Sequence, residues 1–120
     1  PPLKTGNFLG RKADPSKPKG LEDLDDDGYD GLSPVSSFRP DSRSLSDLSG
    51  NVWEWIAEPW GGDDPKTRDY GVLRGGAYST EDRNELLASY RRHLPAGSRL
   101  VDVGFRVILV EDGRPARSEE

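Results

Sequence analysis

Two sets of carboxylates stand at spacings that suit a hard cation. Asp23, Asp25 and Asp27 alternate along the chain and are followed by Gly28, a D-x-D-x-D-G run. Three oxygen donors on alternate residues, closed by a glycine that permits a sharp turn, can wrap around calcium, which takes about six to eight oxygens. Such a run is equally compatible with a solvated acidic turn. An EF-hand is not expected, because the twelfth position of the loop is Pro34 where a bidentate Glu belongs. The second set is Asp47 and Glu54, seven residues apart with Gly50 between them. If the chain folds back at the glycine, both carboxylates can meet one ion, with main-chain carbonyls completing the shell. The plain alternative is an exposed Asp in a turn and a Glu paired with an arginine.

Glu54 lies between Trp53 and Trp55 in Ser49-Gly50-Asn51-Val52-Trp53-Glu54-Trp55. In an extended segment the two indoles point to one face and Glu54 to the other. Each ring can bury roughly 150–250 Å², so both tryptophans are expected in the core. A carboxylate beside them needs a partner, since an unpaired buried charge is strongly disfavoured. A basic side chain or a metal ion would serve.

These residues must be held by a small and irregular framework. The chain has 120 residues, 32% of them hydrophobic, with 14 Gly and 10 Pro. That composition argues for loops and short strands around a modest core, which would gain from a bound ion or from packing against another polypeptide. The net charge is −5, and five acidic residues crowd between Glu22 and Asp27. No nucleic-acid partner is expected from this balance. No apolar run is long enough to span a bilayer as a helix, and no membrane partner is expected. With no cysteine in the sequence, disulfides, thiolate metal sites and cysteine nucleophiles are excluded within it. The one histidine, His93, cannot build a multi-histidine site and reads as a surface or loop residue.

The segment from Pro1 to Gly20 reads as irregular, and Leu21 to Gly31 as the acidic loop. A strand is expected near Val52–Ala57 and a second over Tyr70–Leu73, stopped by Gly75-Gly76, a tight turn that lets the backbone approach Trp53 or Trp55. Leu86, Leu87 and Tyr90 recur at helical spacing, which predicts a helical turn or two within Glu81–Arg92 and a core or interface role for the three. Pro95 to Asp102 reads as a loop. Val103, Phe105, Val107 and Leu109 alternate, which predicts a strand over Val103–Val110. Asp63, Asp64, Lys66 and Arg68 read as a solvated loop. Arg74 and Arg106, each within two residues of a glycine, are expected to fix the fold by pairing with carboxylates, or else to hold an anionic ligand. There is no nucleophile-elbow or phosphate-loop motif.

Taken together, the blocks Ser49–Trp55, Val72-Leu73-Arg74-Gly75-Gly76-Ala77-Tyr78, Arg91 through Pro95 and Val103-Gly104-Phe105-Arg106-Val107 resemble the formylglycine-generating enzyme (sulfatase-modifying factor) family in order and spacing. Asp27-Gly28-Tyr29, Ser33-Pro34-Val35 and Phe38-Arg39-Pro40 fit its upstream elements. The resemblance covers roughly Gly6 to Leu109. It implies an α+β, loop-rich, C-type-lectin-like fold, incomplete in this chain. Residues 1–111 would be the C-terminal half of the domain and 112–120 a tail. Another polypeptide would supply the N-terminal half.

The resemblance also implies two structural calcium ions. The first would take side chains of Asn7 and Asp27 with main-chain oxygens of Phe8 and Tyr29. The second would take side chains of Asp47 and Glu54 with main-chain oxygens of Gly50 and Val52. Active family members bind copper with a cysteine pair shortly after the Gly-Gly motif; the matching positions here are Thr80 and Glu85, so copper is not expected. The expected function is a non-catalytic, calcium-stabilised module that presents a protein or small-molecule ligand surface on the loops Trp60–Tyr70 and Ser79–Arg92. The alternative is one chain of a split or cleaved oxidoreductase whose catalytic residues lie in another polypeptide.

Overall fold

The computed structural model describes residues 6–8, 27–61 and 63–109. The acidic run before Asp27, most of the amino-terminal segment and the expected tail at 112–120 lie outside the described residues. The framework is a four-stranded sheet in the order β3-β2-β1-β4. Strand β1 is Trp53–Pro59, β2 is Tyr70–Arg74, β3 is Arg92–Pro95 and β4 is Val103–Gly104. Strands β1 and β2 pair antiparallel, with Glu54 opposite Arg74 and Trp55 opposite Leu73. Strand β3 joins the far side of β2 antiparallel, and β4 runs parallel to β1 with Trp53 opposite Val103.

The two central strands form where the sequence places β-favouring residues against one another. Val72 and Leu73 are fully buried and Trp53 is 2% exposed. Trp53, Leu73 and Ala77 make the buried cluster, with Trp55, Tyr90, Leu94 and Val103 packed against it. Trp55 is thus only half-buried, because it covers the cluster from the edge. Gly71 lies so close beneath it that an added Cβ would meet the Trp55 ring at 2.8 Å.

Several expectations from sequence are corrected. Among the described residues there is no α-helix, only two short 3-10 turns, Pro65–Thr67 and Arg83–Leu86. Asp82 accepts from the Asn84 N–H at the start of the second, and Tyr90 N–H bonds the Leu87 carbonyl after it ends. The helical half of an α+β description therefore has no counterpart among the described residues. The segment Arg92–Pro95, expected partly as loop, is an edge strand ended by its proline. The strand expected over Val103–Val110 is ordered as strand for two residues, Val103 and Gly104. Beyond Gly104 no described strand pairs with it, and alternation alone cannot satisfy a strand's backbone. Gly75 lies against the Leu48 carbonyl and Gly76 against Leu86 and Thr80. Among the described residues no helix is long and apolar enough to cross a membrane.

Candidate functional site

The loop before β1 is coiled by residues in the left-handed region. Asp47, Gly50 and Asn51 have φ of 56°, 80° and 65°. Asp and Asn tolerate this conformation through local hydrogen bonds, and Gly has no Cβ to clash. The coil is held on both sides. Gly50 N–H bonds the Gly75 carbonyl at 2.9 Å, Asn51 N–H bonds the Asn7 carbonyl at 2.8 Å, and Tyr78 N–H bonds the Asn51 carbonyl at 3.0 Å.

Within that coil three of the four residues expected at the second cation site come together. Asp47, Val52 and Glu54 line one open pocket of 360 Å³, with Ser36, Phe105 and Arg106 on its walls. Asp47 Oδ2 accepts from the Ser36 N–H at 2.8 Å. Its other oxygen, Oδ1, is buried without a hydrogen-bond partner. Glu54 is gripped by Arg106, whose Nε donates to Oε2 at 2.6 Å and whose second guanidinium nitrogen donates to Oε1. The same guanidinium donates to the carbonyls of Ser46 and Asp47, each at 3.0 Å. The hydrogen bond with Glu54 outweighs partial burial and holds the Arg106 guanidinium above arginine's ordinary value, with the Glu54 and Asp47 charges adding to it. Glu54 therefore has the arginine partner that the plain sequence alternative required. A bidentate arginine uses only part of a carboxylate's lone-pair capacity. Gly50 lines the back of the coil, packed on the Asn7 carbonyl.

Of the four residues expected at the first site, Phe8 and Tyr29 meet at Asp27, through their N–H groups and not through the oxygens expected as ligands, while the Asn7 amide turns to Gly31 and Asn51. Asp27 is buried; its Oδ2 accepts from Phe8 N–H at 2.6 Å and its Oδ1 from Tyr29 N–H at 2.9 Å. Asn7 is fully buried. Its amide donates to the Gly31 carbonyl at 2.7 Å and to Asn51 Oδ1 at 3.1 Å, while its own Oδ1 has no partner. Asn51 joins the two regions, since its Oδ1 also accepts from Ser33 N–H and its amide donates to the Ser33 carbonyl. The sequence reading missed this role. Its signal was an Asn placed after Gly in a turn, which admits the positive φ. Among the described residues no group of three or more His, Asp or Glu side chains is arranged to hold a metal. A hard ion at either place would need amide or main-chain oxygens in addition to the one or two carboxylates there. Three oxygens among the described residues are buried without a partner, on Asn7, Ser33 and Asp47; Asn7 and Asp47 are residues that the resemblance places at a calcium ion, and calcium's preference for such donors fits them.

Thr80 and Glu85 flank Gly76 at the edge of the core. Thr80 is buried, and its Oγ1 accepts from Ala77 N–H at 2.9 Å, closing the turn after the Gly-Gly pair. Glu85 Oε1 accepts from the Tyr90 hydroxyl at 3.4 Å. Tyr90 packs on Trp53 with ring centroids 6.0 Å apart. Burial first, then the Glu85 charge, push the Tyr90 hydroxyl above tyrosine's ordinary value. His93 is exposed, as expected, and stacks on Trp60 at 4.0 Å. Arg74 donates to the Ala88 carbonyl at 2.9 Å and stands 3.8 Å from Glu58. Asp63, Asp64, Lys66 and Arg68 are all exposed.

Comparison with known proteins agrees with these blocks. Residues 5–110 match the family model of the sulfatase-modifying factor enzyme 1-like domain. The chain is 47% identical over 62 residues to the mouse (Mus musculus) inactive C-alpha-formylglycine-generating enzyme 2, covering 51% of this chain and 18% of that protein. It is 35% identical over 102 residues to the formylglycine-generating enzyme of Thermomonospora curvata, covering 72% of this chain and 34% of that one. Its fold superposes on PvdO from Pseudomonas aeruginosa with a TM-score of 0.62 at 24% identity, over 85% of this chain and 38% of that one. The chain thus spans well under half the length of each of these relatives. It belongs to the sulfatase-modifying factor family.

Proposed function

We propose that this member of the family is a non-catalytic module, stabilised by calcium, that presents its loops to a protein or small-molecule ligand. We further assign it the C-terminal half of a C-type-lectin-like fold. The observation that carries the reading is Thr80. A buried hydroxyl committed to a turn stands where the resemblance calls for a thiolate, in a sequence without cysteine. An alcohol is neither the soft ligand nor the redox donor that copper chemistry requires. The similarity to a relative named inactive supports this. The similarity to a relative named formylglycine-generating enzyme supports the second reading, one chain of an enzyme completed elsewhere.

Calcium is supported by the orphaned Asn7 and Asp47 oxygens, the latter in a pocket that Glu54 also lines. The residues that would hold it are Asn7, Phe8, Asp27 and Tyr29 at one place, and Asp47, Gly50, Val52 and Glu54 at the other. When bound, the ion supplies charge that gathers loop oxygens and fixes the coil before β1. Scanning calorimetry with calcium and with chelator tests the reading. At 100 times the dissociation constant, calcium should add about 2.7 kcal/mol to stability. An unchanged transition removes the ion. A copper titration should find no tight site, and a tight site overturns the non-catalytic assignment.

A further inference from the structure

The segment after β4 carries a largely exposed apolar face. Phe105, Val107 and Leu109 are 74%, 83% and 98% exposed. In extended chain these three share one face, while Arg106 and Ile108 point the other way. The backbone beyond Gly104 has no partner strand among the described residues. Yet the segment is not loose at its start. Arg106 pins it to the Glu54 carboxylate and to the carbonyls of Ser46 and Asp47. A tethered, alternating, apolar edge is a template for strand addition and a hazard if left bare.

We infer that Phe105–Leu109 is the docking edge for the remainder of the domain polypeptide, which adds a strand beside it and covers the Phe105, Val107 and Leu109 face. The occupant is argued from length and position. The family match runs to residue 110, so the bare segment lies inside the domain and not in a tail. The chain supplies only 34% of one relative and 38% of another, which leaves more than half of a domain polypeptide to do the covering. Arg106 is the positioning residue, since its clamp sets the direction in which the edge leaves the sheet. This inference rests on the reading of the chain as the C-terminal half of a domain.

Hydrogen exchange on the 120-residue chain and on the complete gene product tests it. The amides of residues 105–109 should exchange freely in the chain alone and at least tenfold more slowly in the complete product. Fast exchange in both overturns the inference. So does slow exchange in the chain alone accompanied by a dimeric mass, which assigns the edge to a second copy. A gene product with no further domain polypeptide overturns it as well. Val107→Asp should lower the melting temperature of the complete product by several degrees and leave that of the short chain within one degree. Equal shifts in both count against docking. Phe105 and Arg106 also line the second cation pocket, so the amides of residues 107–109 and the Val107→Asp variant are the readouts whose failure leaves the proposed function standing, and the reverse.

Discussion

Glu54 occupies a position with two demands. It stands between indoles, where a lone carboxylate is disfavoured, and it faces a loop whose oxygens need a positive charge. Arg106 meets both with one guanidinium. Its side chain is 36% exposed and that of Glu54 is 19% exposed, so solvent screening discounts the pair. Glu54→Ala should cost about 1–2 kcal/mol in urea unfolding, more than Asp64→Ala, which removes one exposed turn bond to Lys66 N–H and should stay within about 0.5 kcal/mol. Equal costs for the two would argue that the Arg106 clamp contributes nothing. Tyr90 gives an independent reading at the same scale. Its folded value is raised above the unfolded one, so the stability it contributes is complete below tyrosine's ordinary range and is lost as pH rises through the folded value. Ultraviolet titration should show Tyr90 ionising above tyrosine's ordinary range, and Glu85→Gln should bring it earlier. An unmoved midpoint would leave burial alone as the cause.

Elements here are set by loops more than by strands. Gly50 shows why: its φ is positive and an added Cβ would strike the Asn7 carbonyl, a backbone atom that cannot swing aside. Gly28 has a φ of +90° but open space around its Cβ position. Gly28→Ala should cost about 1–2 kcal/mol for the left-handed backbone alone. Gly50→Ala should cost clearly more, with loss of the Asn51–Asn7 bond. Chemical denaturation of the two variants decides the matter, and similar values would mean that the coil yields. The central strands were legible in the sequence because Trp53 and Trp55 alternate and Gly75-Gly76 stops the next run. Strand β3 was not, because Arg92-His93-Leu94-Pro95 carries a single aliphatic residue and forms by pairing with β2. The segment after Val103 was legible as an alternating pattern but not in its extent, since a strand's length depends on a neighbour the pattern does not reveal. Of the site, the fold-back that brings Asp47 and Glu54 to one pocket was legible from their spacing about Gly50, whereas Asn7, Phe8 and Val52 came only with the family resemblance. The Asn51 junction was not, because an amide shared among Asn7 and Ser33 depends on tertiary proximity.

At the scale of the whole molecule the described core is small. Phe38, Trp53, Val72, Leu73 and Ala77 are its buried hydrophobic residues. A core of this size leaves little net stability once chain entropy is counted. Leu73 sits at its centre, fully buried and packed with Trp53 and Ala77. Leu73→Ala should cost about 2–5 kcal/mol, comparable with everything a domain this small retains. If calcium closes the loops around Asn7 and Asp47, it stabilises only the folded chain, by about 2.7 kcal/mol at 100 times its dissociation constant. The two effects are of the same order, so they should trade against each other. With chelator present, the Leu73→Ala chain should lose its near-ultraviolet tryptophan dichroism at 25 °C. Added calcium should restore much of it, with a midpoint that shifts as the ion concentration changes. The loop variant Asp47→Asn in the Leu73→Ala background separates ion binding from a general salt effect, because it leaves the core unchanged while weakening the second site. Its recovery should need more calcium. Recovery at the same concentration, or with magnesium or sodium equally well, would mean that the core alone sets the stability of this chain.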